Sequence, residues 1–198
     1  MSRATAQRVL NDLAHAGLAV RSRGRGTHVA DGAQLVNLVR YLNPQLGGVG
    51  IPGAHRVLSA GVVPAVKALA ELPGVDDNAA VIQLVRLKYN ATDEPIATEI
   101  QVIPFALAPS LLDEDLAHLT THEYFSAKEV SLSRTRMYID PVNIDSANAE
   151  LLDIEPGVAV IRWRRLTWLA NGGLAESAAI YLRPGMNEFY VEYTTPSP

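Results

Sequence analysis

The sequence predicts an α+β protein, in which a small helix-and-hairpin segment precedes a larger domain of strands and short helices. Pairs of apolar, β-prone stretches are separated by turn residues, as in β-hairpins, and no regular strand–helix–strand alternation runs along the chain. Hydrophobic residues make up 48% of the 198 residues and charged residues 19%, which is enough apolar material to bury a core. A disordered chain is therefore excluded.

Composition excludes several other classes of protein. Cysteine is absent, which excludes a disulfide framework, cysteine-bound zinc and a thiol nucleophile. The apolar stretches are too short to span a membrane, and the first residues lack the hydrophobic core of a signal peptide. We therefore expect a cytoplasmic protein. No G-x-x-x-x-G-K-[ST] run occurs, and we expect neither a nucleotide nor any other cofactor.

Charge is unevenly distributed along the chain. Residues 1–30 carry five arginines and one aspartate, net +4, whereas the remaining 168 residues carry 12 basic and 20 acidic side chains, net −8. A basic segment on an acidic body is expected where the segment meets a polyanion. The alternative is that these arginines are merely solvated on a helix and hairpin packed against the body.

Residues 1–30 have the pattern of a helix followed by a hairpin. Ser2 is a good N-cap, apolar residues recur at helical spacing after it, and Gly17 suits the end of the helix. Two short strands then flank an arginine- and glycine-rich turn. A winged helix-turn-helix places polar side chains of its recognition helix against base edges, and its basic hairpin against the backbone or minor groove.

The run S-R-A-T-x-x-R-V-L-x-x-L-x-x-x-G-L-x-x-R-x-x-G-x-G-T-x-V-A resembles the recognition helix and wing of GntR-type bacterial transcription regulators. In that family two further helices precede this run, whereas here Met1 stands directly before it. We therefore expect residues 1–30 to be one part of a winged helix-turn-helix domain. Operator DNA is an expected partner if the whole of that domain is present. The expected DNA-binding residues are Ser2, Arg3, Thr5, Gln7, Arg8, Arg21, Arg23, Arg25 and Thr27.

The rest of the chain predicts a linker and a second domain. Residues 31–53 become rich in glycine and proline and are expected to be a linker, followed by a domain over residues 54–198. The predicted elements of that domain are a strand from His55, a helix over 65–72, hairpin strands over 80–89 and 96–104, short helices over 109–119 and 121–128, a strand over 130–139, a helix over 140–152, hairpin strands over 158–170 and 174–182, and a last strand over 189–193.

Four runs in this second domain resemble the UTRA ligand-binding domain of the HutC subfamily of GntR-type regulators. They are V-V-P-A-V-K-A-L, V-I-Q-L-V-R-L-K-Y-N-A-T-D-E-P-I-A-T-E-I-Q-V-I-P, E-L-L-D-I-E-P-G-V-A-V-I-R-W-R-R and A-E-S-A-A-I-Y-L-R-P. The resemblance implies an antiparallel sheet with helices, similar to chorismate lyase, that senses a small metabolite.

Arg86 and Lys88 are the first candidates for ligand binding. They lie two residues apart on a predicted strand, hence on one face, and paired cations within a sheet attract an anion. The alternative is that Arg86 simply pairs with Glu99 of the partner strand. The family resemblance implies a pocket for an acidic small-molecule effector. Its expected residues are Arg86, Lys88, Glu99, Thr120, His122 and Glu176.

These observations lead to one main hypothesis and two alternatives. The main hypothesis is a homodimeric repressor that binds operator DNA and is controlled by a metabolite. The first alternative is an effector-binding and dimerisation module without DNA binding. The second is a lyase or hydrolase that uses Glu99 or Glu176, but no nucleophile–base motif appears, and we expect no catalytic residues. His118 and His122 have helical spacing but lack a third metal ligand, so we expect no metal site.

Overall fold

The computed structural model describes residues 5–10, 19–22, 26–29, 34–39, 54–90 and 92–192. The chain divides into two compact units, one formed by Gly53–Arg183 and a smaller one formed by Met1–Pro52 together with Pro184–Pro198. No helix in the described ranges is long and apolar enough to cross a membrane. The strands are β1 (Ala19–Ser22), β2 (Gly26–Val29), β3 (Gln34–Asn37), β4 (Ala54–Pro64), β5 (Ala80–Tyr89), β6 (Pro95–Pro104), β7 (Leu132–Asn143), β8 (Ala159–Leu169), β9 (Leu174–Leu182) and β10 (Asn187–Tyr190), and the two labelled helices are α1 (Thr121–Ala127) and α2 (Ser146–Leu152).

The larger unit is built on one antiparallel sheet of six strands. Its order is β4-β5-β6-β9-β8-β7, so β6 and β9 lie at the centre and β4 and β7 form the edges. The β5–β6, β8–β9 and β7–β8 pairs are all antiparallel, which confirms the α+β class. Most residues of β6 and β9 are buried, as expected of strands that are covered on both faces.

Separate apolar clusters cover the two faces of this sheet. On one face Ile82 and Ile103 pack with Phe125 of α1. On the other face Leu87 and Val160 pack with Leu152 of α2. Each fully buried side chain of this kind stabilises the fold by about 1.5–3 kcal/mol relative to its exposed state. The polar site described below therefore lies within a sheet whose position is fixed by apolar packing.

Both helices begin at side-chain caps. Thr120 and Glu123 form a capping box at the start of α1, and the side chain of Asp145 accepts from the Asn148 amide at the start of α2. The helix predicted over 140–152 was therefore wrong in its first part, because β7 continues through Asp140 and Pro141. A proline is tolerated on an edge strand, where the missing amide costs no ladder hydrogen bond.

The helix predicted over 65–72 is also wrong. Only the 3-10 turn Ala65–Lys67 forms, and no side chain caps its start. The amide of Leu69 instead donates to the Gln83 side chain, which draws this segment along the sheet. A segment bounded by Pro64 and Pro73 is too short for a stable helix without a cap or a buried face.

The smaller unit contains a helix, a hairpin and one parallel strand pair. Residues 5–10 are helical and lie within the helix predicted from Ser2 to Gly17, the rest of which is outside the described residues. Strands β1 and β2 pair antiparallel from Ala19–Val29 to Ser22–Gly26, as predicted for the hairpin. Strand β3 lies within the segment expected to be a linker and pairs in parallel with β10. The last predicted strand thus belongs to this pair and begins two residues earlier than expected.

Candidate functional site

A buried ion pair joins the two strands of the central hairpin. Arg86 of β5 lies directly opposite Glu99 of β6, and its Nη2 and Nε donate to Glu99 Oε2 over 2.7 and 3.2 Å. The side chains are only 2% and 12% exposed. The cross-strand pair considered from the sequence is therefore present, but it is buried. Water screens such a pair far less than a surface pair.

The remaining donors of Arg86 are also occupied. Its Nη1 donates to the carbonyl oxygens of Leu116 and Leu119 over 3.2 and 2.9 Å, and its Nη2 donates to Gln101 Oε1 over 3.2 Å. An arginine has five N–H donors, and Arg86 makes five hydrogen bonds. The guanidinium thus ties the segment before α1 to the sheet.

Gln101 connects this ion pair to a second carboxylate. Its Nε2 lies 3.2 Å from Glu99 Oε1 and 3.1 Å from Glu176 Oε1, and the residue is 1% exposed. This amide orientation follows from its partners, because the oxygen meets the guanidinium of Arg86 and the nitrogen meets two carboxylates. The side chain therefore bridges two acids that would otherwise repel each other.

Glu176 is held from two further sides. Thr121 Oγ1 donates to Glu176 Oε1 over 3.0 Å, and Arg165 Nη2 donates to the same oxygen over 2.7 Å. We call this set the glutamate network. It consists of Arg86, Glu99, Gln101, Thr121, Arg165 and Glu176.

The network creates a strongly charged environment around Glu99. Burial opposes its ionisation, but Arg86, Arg165 and Lys88 outweigh this effect and lower the pKa of Glu99 to about 2. Burial lowers the pKa of Lys88 to about 8 despite the attraction of Glu99, and the two arginines contribute to this shift. Burial, then Lys88 and Arg86, lower the pKa of His55 to about 4. At neutral pH an ionised glutamate thus lies among three cations and a neutral imidazole.

The predicted effector residues fall into two groups. Arg86, Glu99 and Glu176 belong to the network, and Lys88 lies on the same face of β5, between His55 of β4 and Ala97 of β6. The structure does not bring Thr120 and His122 into the network.

Thr120 and His122 flank the residue that faces the site. The hydroxyl of Thr120 donates to Glu123 Oε2 over 2.7 Å and accepts from the Glu123 amide, so it serves the capping box. His122 is exposed, whereas Thr121 between them is 4% exposed and reaches Glu176. The hydroxyl that touches the network therefore lies one residue beyond the predicted one.

Sequence reasoning also missed Gln101, Arg165 and His55. Gln101 follows Glu99 by two residues on β6, and this spacing alone indicates that both side chains share a face. No local signal identifies Arg165, because its partner Glu176 lies on the next strand, beyond a hairpin turn.

The predicted DNA-binding residues lie in the smaller unit. Thr5, Gln7 and Arg8 are exposed on the helical residues 5–10, and Arg21 pairs with Thr27 across the β1–β2 hairpin. Four others lie outside the described residues, namely Ser2, Arg3, Arg23 and Arg25.

A metal site finds no support in the part of the chain that the structure describes. No group of three or more histidine, aspartate or glutamate side chains there is arranged to hold a metal ion. His118 Nδ1 instead lies 2.8 Å from Asp115 Oδ2 on the surface.

Comparison with known proteins identifies the family. Residues 50–185 match the UTRA domain, which is most of the chain. The chain belongs to the UTRA domain family. The transcriptional repressor NagR of Bacillus subtilis (strain 168) is 26% identical over 195 residues, covering 98% of this chain and 79% of NagR. The histidine utilization repressor of Pseudomonas aeruginosa is 28% identical over 186 residues, covering 93% and 73% of the two chains.

Solved structures agree with this assignment at the level of the fold. The crystal structure of PhnF from Mycobacterium smegmatis superposes with a TM-score of 0.68 at 20% identity, covering 99% of this chain and 87% of PhnF. The predicted resemblance to GntR-type regulators with a UTRA domain is confirmed. Along most of its length this UTRA protein is thus similar to proteins named as transcriptional repressors.

The lowered pKa of His55 predicts a pH-dependent stability. Because the folded state keeps the imidazole neutral down to about pH 4, the unfolded chain takes up an extra proton between pH 6.5 and 4. The contribution of the neutral His55 to the free energy of unfolding is then fully present above pH 6.5 and is lost as the pH falls towards 4. Because solvent partly screens this group, the loss should be no more than about 2 kcal/mol. His55→Gln should flatten this part of the pH profile, measured by urea unfolding.

The exposed His122 offers a matched control, since His122→Gln removes an imidazole outside the site. His122→Gln should keep the pH profile of the wild type. If His55→Gln also keeps that profile between pH 6.5 and 4, His55 is not the source of the pH-dependent stability.

Proposed function

We propose that this UTRA protein is a repressor whose larger unit binds a small acidic metabolite beside the glutamate network, at Arg86, Lys88, Glu99 and Glu176. Binding would change the affinity of residues 1–30 for operator DNA. The observation that carries the proposal is the ionised Glu99 surrounded by Arg86, Lys88 and Arg165 on one face of the sheet.

Stability alone does not account for so many buried and half-buried charges. Removing an ion from water costs several kcal/mol, and a buried pair often stabilises a fold no more than apolar residues of the same volume. Here two carboxylates and three cations occupy one region of an otherwise apolar sheet. Titratable groups with strongly shifted pKa values concentrate where ligands bind. Together these five side chains carry one net positive charge, which favours an acidic ligand.

The network also supplies a route by which a ligand could act on nearby structure. Arg86 holds the carbonyl oxygens of Leu116 and Leu119, and Glu176 holds the hydroxyl of Thr121 at the start of α1. A ligand that changes the charge balance beside Arg86 changes the strength of these bonds. Under linkage, any state of the protein in which they differ is then favoured or disfavoured by the ligand.

The names of the relatives support repression and binding without catalysis. Both curated relatives described above are named as repressors. We expect the bound metabolite to be released unchanged, because a carboxylate that arginines hold in its ionised form, as they hold Glu99, is a poor proton acceptor.

DNA binding by residues 1–30 gives the first test. Operator fragments are selected from genomic DNA with the purified full chain, and binding is followed by fluorescence anisotropy at several salt concentrations. Gln7→Ala should relax the preference at one base pair, by about 1–3 kcal/mol. Arg21→Ala should weaken binding to every duplex and reduce the salt slope by about one, because one phosphate contact is lost.

Arg56→Ala is a matched control, because Arg56 is an exposed arginine of the larger unit whose guanidinium lies 5.2 Å from the Tyr89 ring. It should bind DNA like the wild type. The small-molecule fraction of a cell extract should alter operator binding by the wild type. A chain that binds no duplex, or binding that no extract changes, would refute the proposed function.

We further propose that the protein is a homodimer through the β7 edge of the sheet. Ile139 of β7 and Ile161 of β8 are 47% and 37% exposed and lie on the same face beside this open edge. Ile139→Glu should produce a monomer in sedimentation equilibrium at micromolar concentration, because it places a charge in the apolar contact. Val62→Glu, at an exposed valine on the opposite edge strand, should leave the dimer intact. A wild-type monomer, or dissociation by Val62→Glu alone, would contradict this assignment.

A further inference from the structure

A second group of arginines lies on the face of β7 and β8 that is opposite to the glutamate network. Successive side chains of a strand point to opposite faces, so the even-numbered residues of these two strands share this face. The register places Arg134 opposite Trp168, and Tyr138 opposite Arg164. We call this group the arginine–aromatic patch. It consists of Arg134, Arg136, Tyr138, Arg162, Arg164 and Trp168.

Two aromatic rings support the arginines of the patch. The guanidinium carbon of Arg134 lies 4.2 Å from the centre of the Trp168 ring, and that of Arg136 lies 5.8 Å from it. Arg136 Nη1 also donates to the Tyr138 hydroxyl over 3.3 Å, and the Arg164 guanidinium lies 4.8 Å from the Tyr138 ring. A guanidinium that stacks on a ring is held in one orientation and still presents the N–H groups of its edge to an anion.

The patch has little negative charge to balance it. Asp140 Oδ2 accepts from Arg164 Nε over 2.9 Å and from Arg162 Nη2 over 3.2 Å. Neither Arg134 nor Arg136 forms an ion pair with a carboxylate among the residues that the structure describes. Four arginines and one aspartate carry a net charge of +3, on a body whose 168 residues together carry −8. Such a basic area on an acidic body attracts a polyanion.

A phosphate backbone matches the patch better than an acidic protein surface does. Arg134 and Arg136 are both exposed and lie two residues apart on one strand, about 6.6 Å, which is close to the separation of neighbouring phosphates in a nucleic-acid strand. A planar guanidinium binds two phosphate oxygens at once. Because guanidinium groups already cover the Trp168 and Tyr138 rings, these rings are not open to stack on bases. The contact would therefore reach the backbone and not the bases.

We infer that the arginine–aromatic patch is a second DNA-contacting surface, which binds the phosphate backbone of a duplex without reading its sequence. This inference rests on the proposed function, which makes DNA the partner, and it adds a contact that the larger unit makes. Phosphate contacts position a protein on DNA and set its salt dependence. Part of that salt dependence then comes from β7, and not from residues 1–30.

The test uses the full chain and a labelled duplex of random sequence, with binding followed by fluorescence anisotropy at several salt concentrations. The double variant Arg134→Gln/Arg136→Gln should bind at least about tenfold more weakly near 0.1 M salt. Its salt slope should be smaller by about two, because two phosphate contacts are lost. The charge-matched control is Arg56→Gln/Lys67→Gln, which removes two exposed cations at the opposite edge of the sheet, one of them also close to an aromatic ring. This control should keep the wild-type slope.

Tryptophan fluorescence gives a local measurement that needs no arginine variant. The chain contains two tryptophans, of which Trp163 is 0% exposed and Trp168 is partly exposed beneath the arginines. The random duplex should protect Trp168 from quenching by acrylamide. Trp168→Phe keeps a ring under Arg134 but should abolish this protection, because only the buried Trp163 then emits.

Three results would overturn the inference. They are a wild type that binds no random duplex at about 50 mM salt, equal losses of affinity in the double variant and its control, and acrylamide quenching that the duplex does not change. A double variant that binds duplexes like the wild type would assign the patch to another partner, such as an acidic protein, and would also refute the inference.

The proposed function fails separately from this inference. If Arg21→Ala weakens operator binding and the double variant does not, the regulator function stands and only the role of the patch is refuted. If the double variant weakens duplex binding and Arg21→Ala does not, the patch is supported and the DNA-binding role of residues 1–30 is refuted.

Discussion

The buried pair between Arg86 and Glu99 is the interaction on which the rest of the site depends. It joins β5 to β6, anchors the segment before α1 through two carbonyl oxygens, and orients Gln101. Because the surrounding sheet is apolar, the pair cannot exchange its partners for water without a large loss of hydrogen bonding. The other charges of the site, Lys88 and Arg165, are arranged around the carboxylate that this pair holds in place.

Within the site, Arg86 and Gln101 differ from Lys88 in their surroundings. Arg86 and Gln101 spend their hydrogen bonds on the protein itself, so they define the shape and charge of the site. Lys88 carries a positive charge that burial makes costly, as its pKa of about 8 indicates. In the smaller unit, Thr5, Gln7 and Arg8 are exposed on helical residues, and β1 and β2 form an antiparallel hairpin.

The sequence predicted the parts of this structure that local pattern determines. The hairpin of β5 and β6 follows from two apolar strands around a polar turn, and its register places Arg86 opposite Glu99. Contacts between distant segments could not be predicted in this way. Gln101 and Glu176 lie 75 residues apart in the sequence. The position of Thr121 in the site follows from the cap at Thr120, which determines where α1 begins. The early start predicted for α2 failed because proline at position 141 continues an edge strand.

The most direct test of the central interaction is a double-mutant cycle on Arg86 and Glu99. Urea unfolding of the wild type, Arg86→Met, Glu99→Gln and the double variant is followed by tryptophan fluorescence, since Trp163 and Trp168 both lie on β8. We expect each single change to cost about 3–5 kcal/mol and the double variant to cost clearly less than their sum, with a coupling energy above about 2 kcal/mol. A coupling energy below about 0.5 kcal/mol, as for a solvent-exposed pair, would contradict the account.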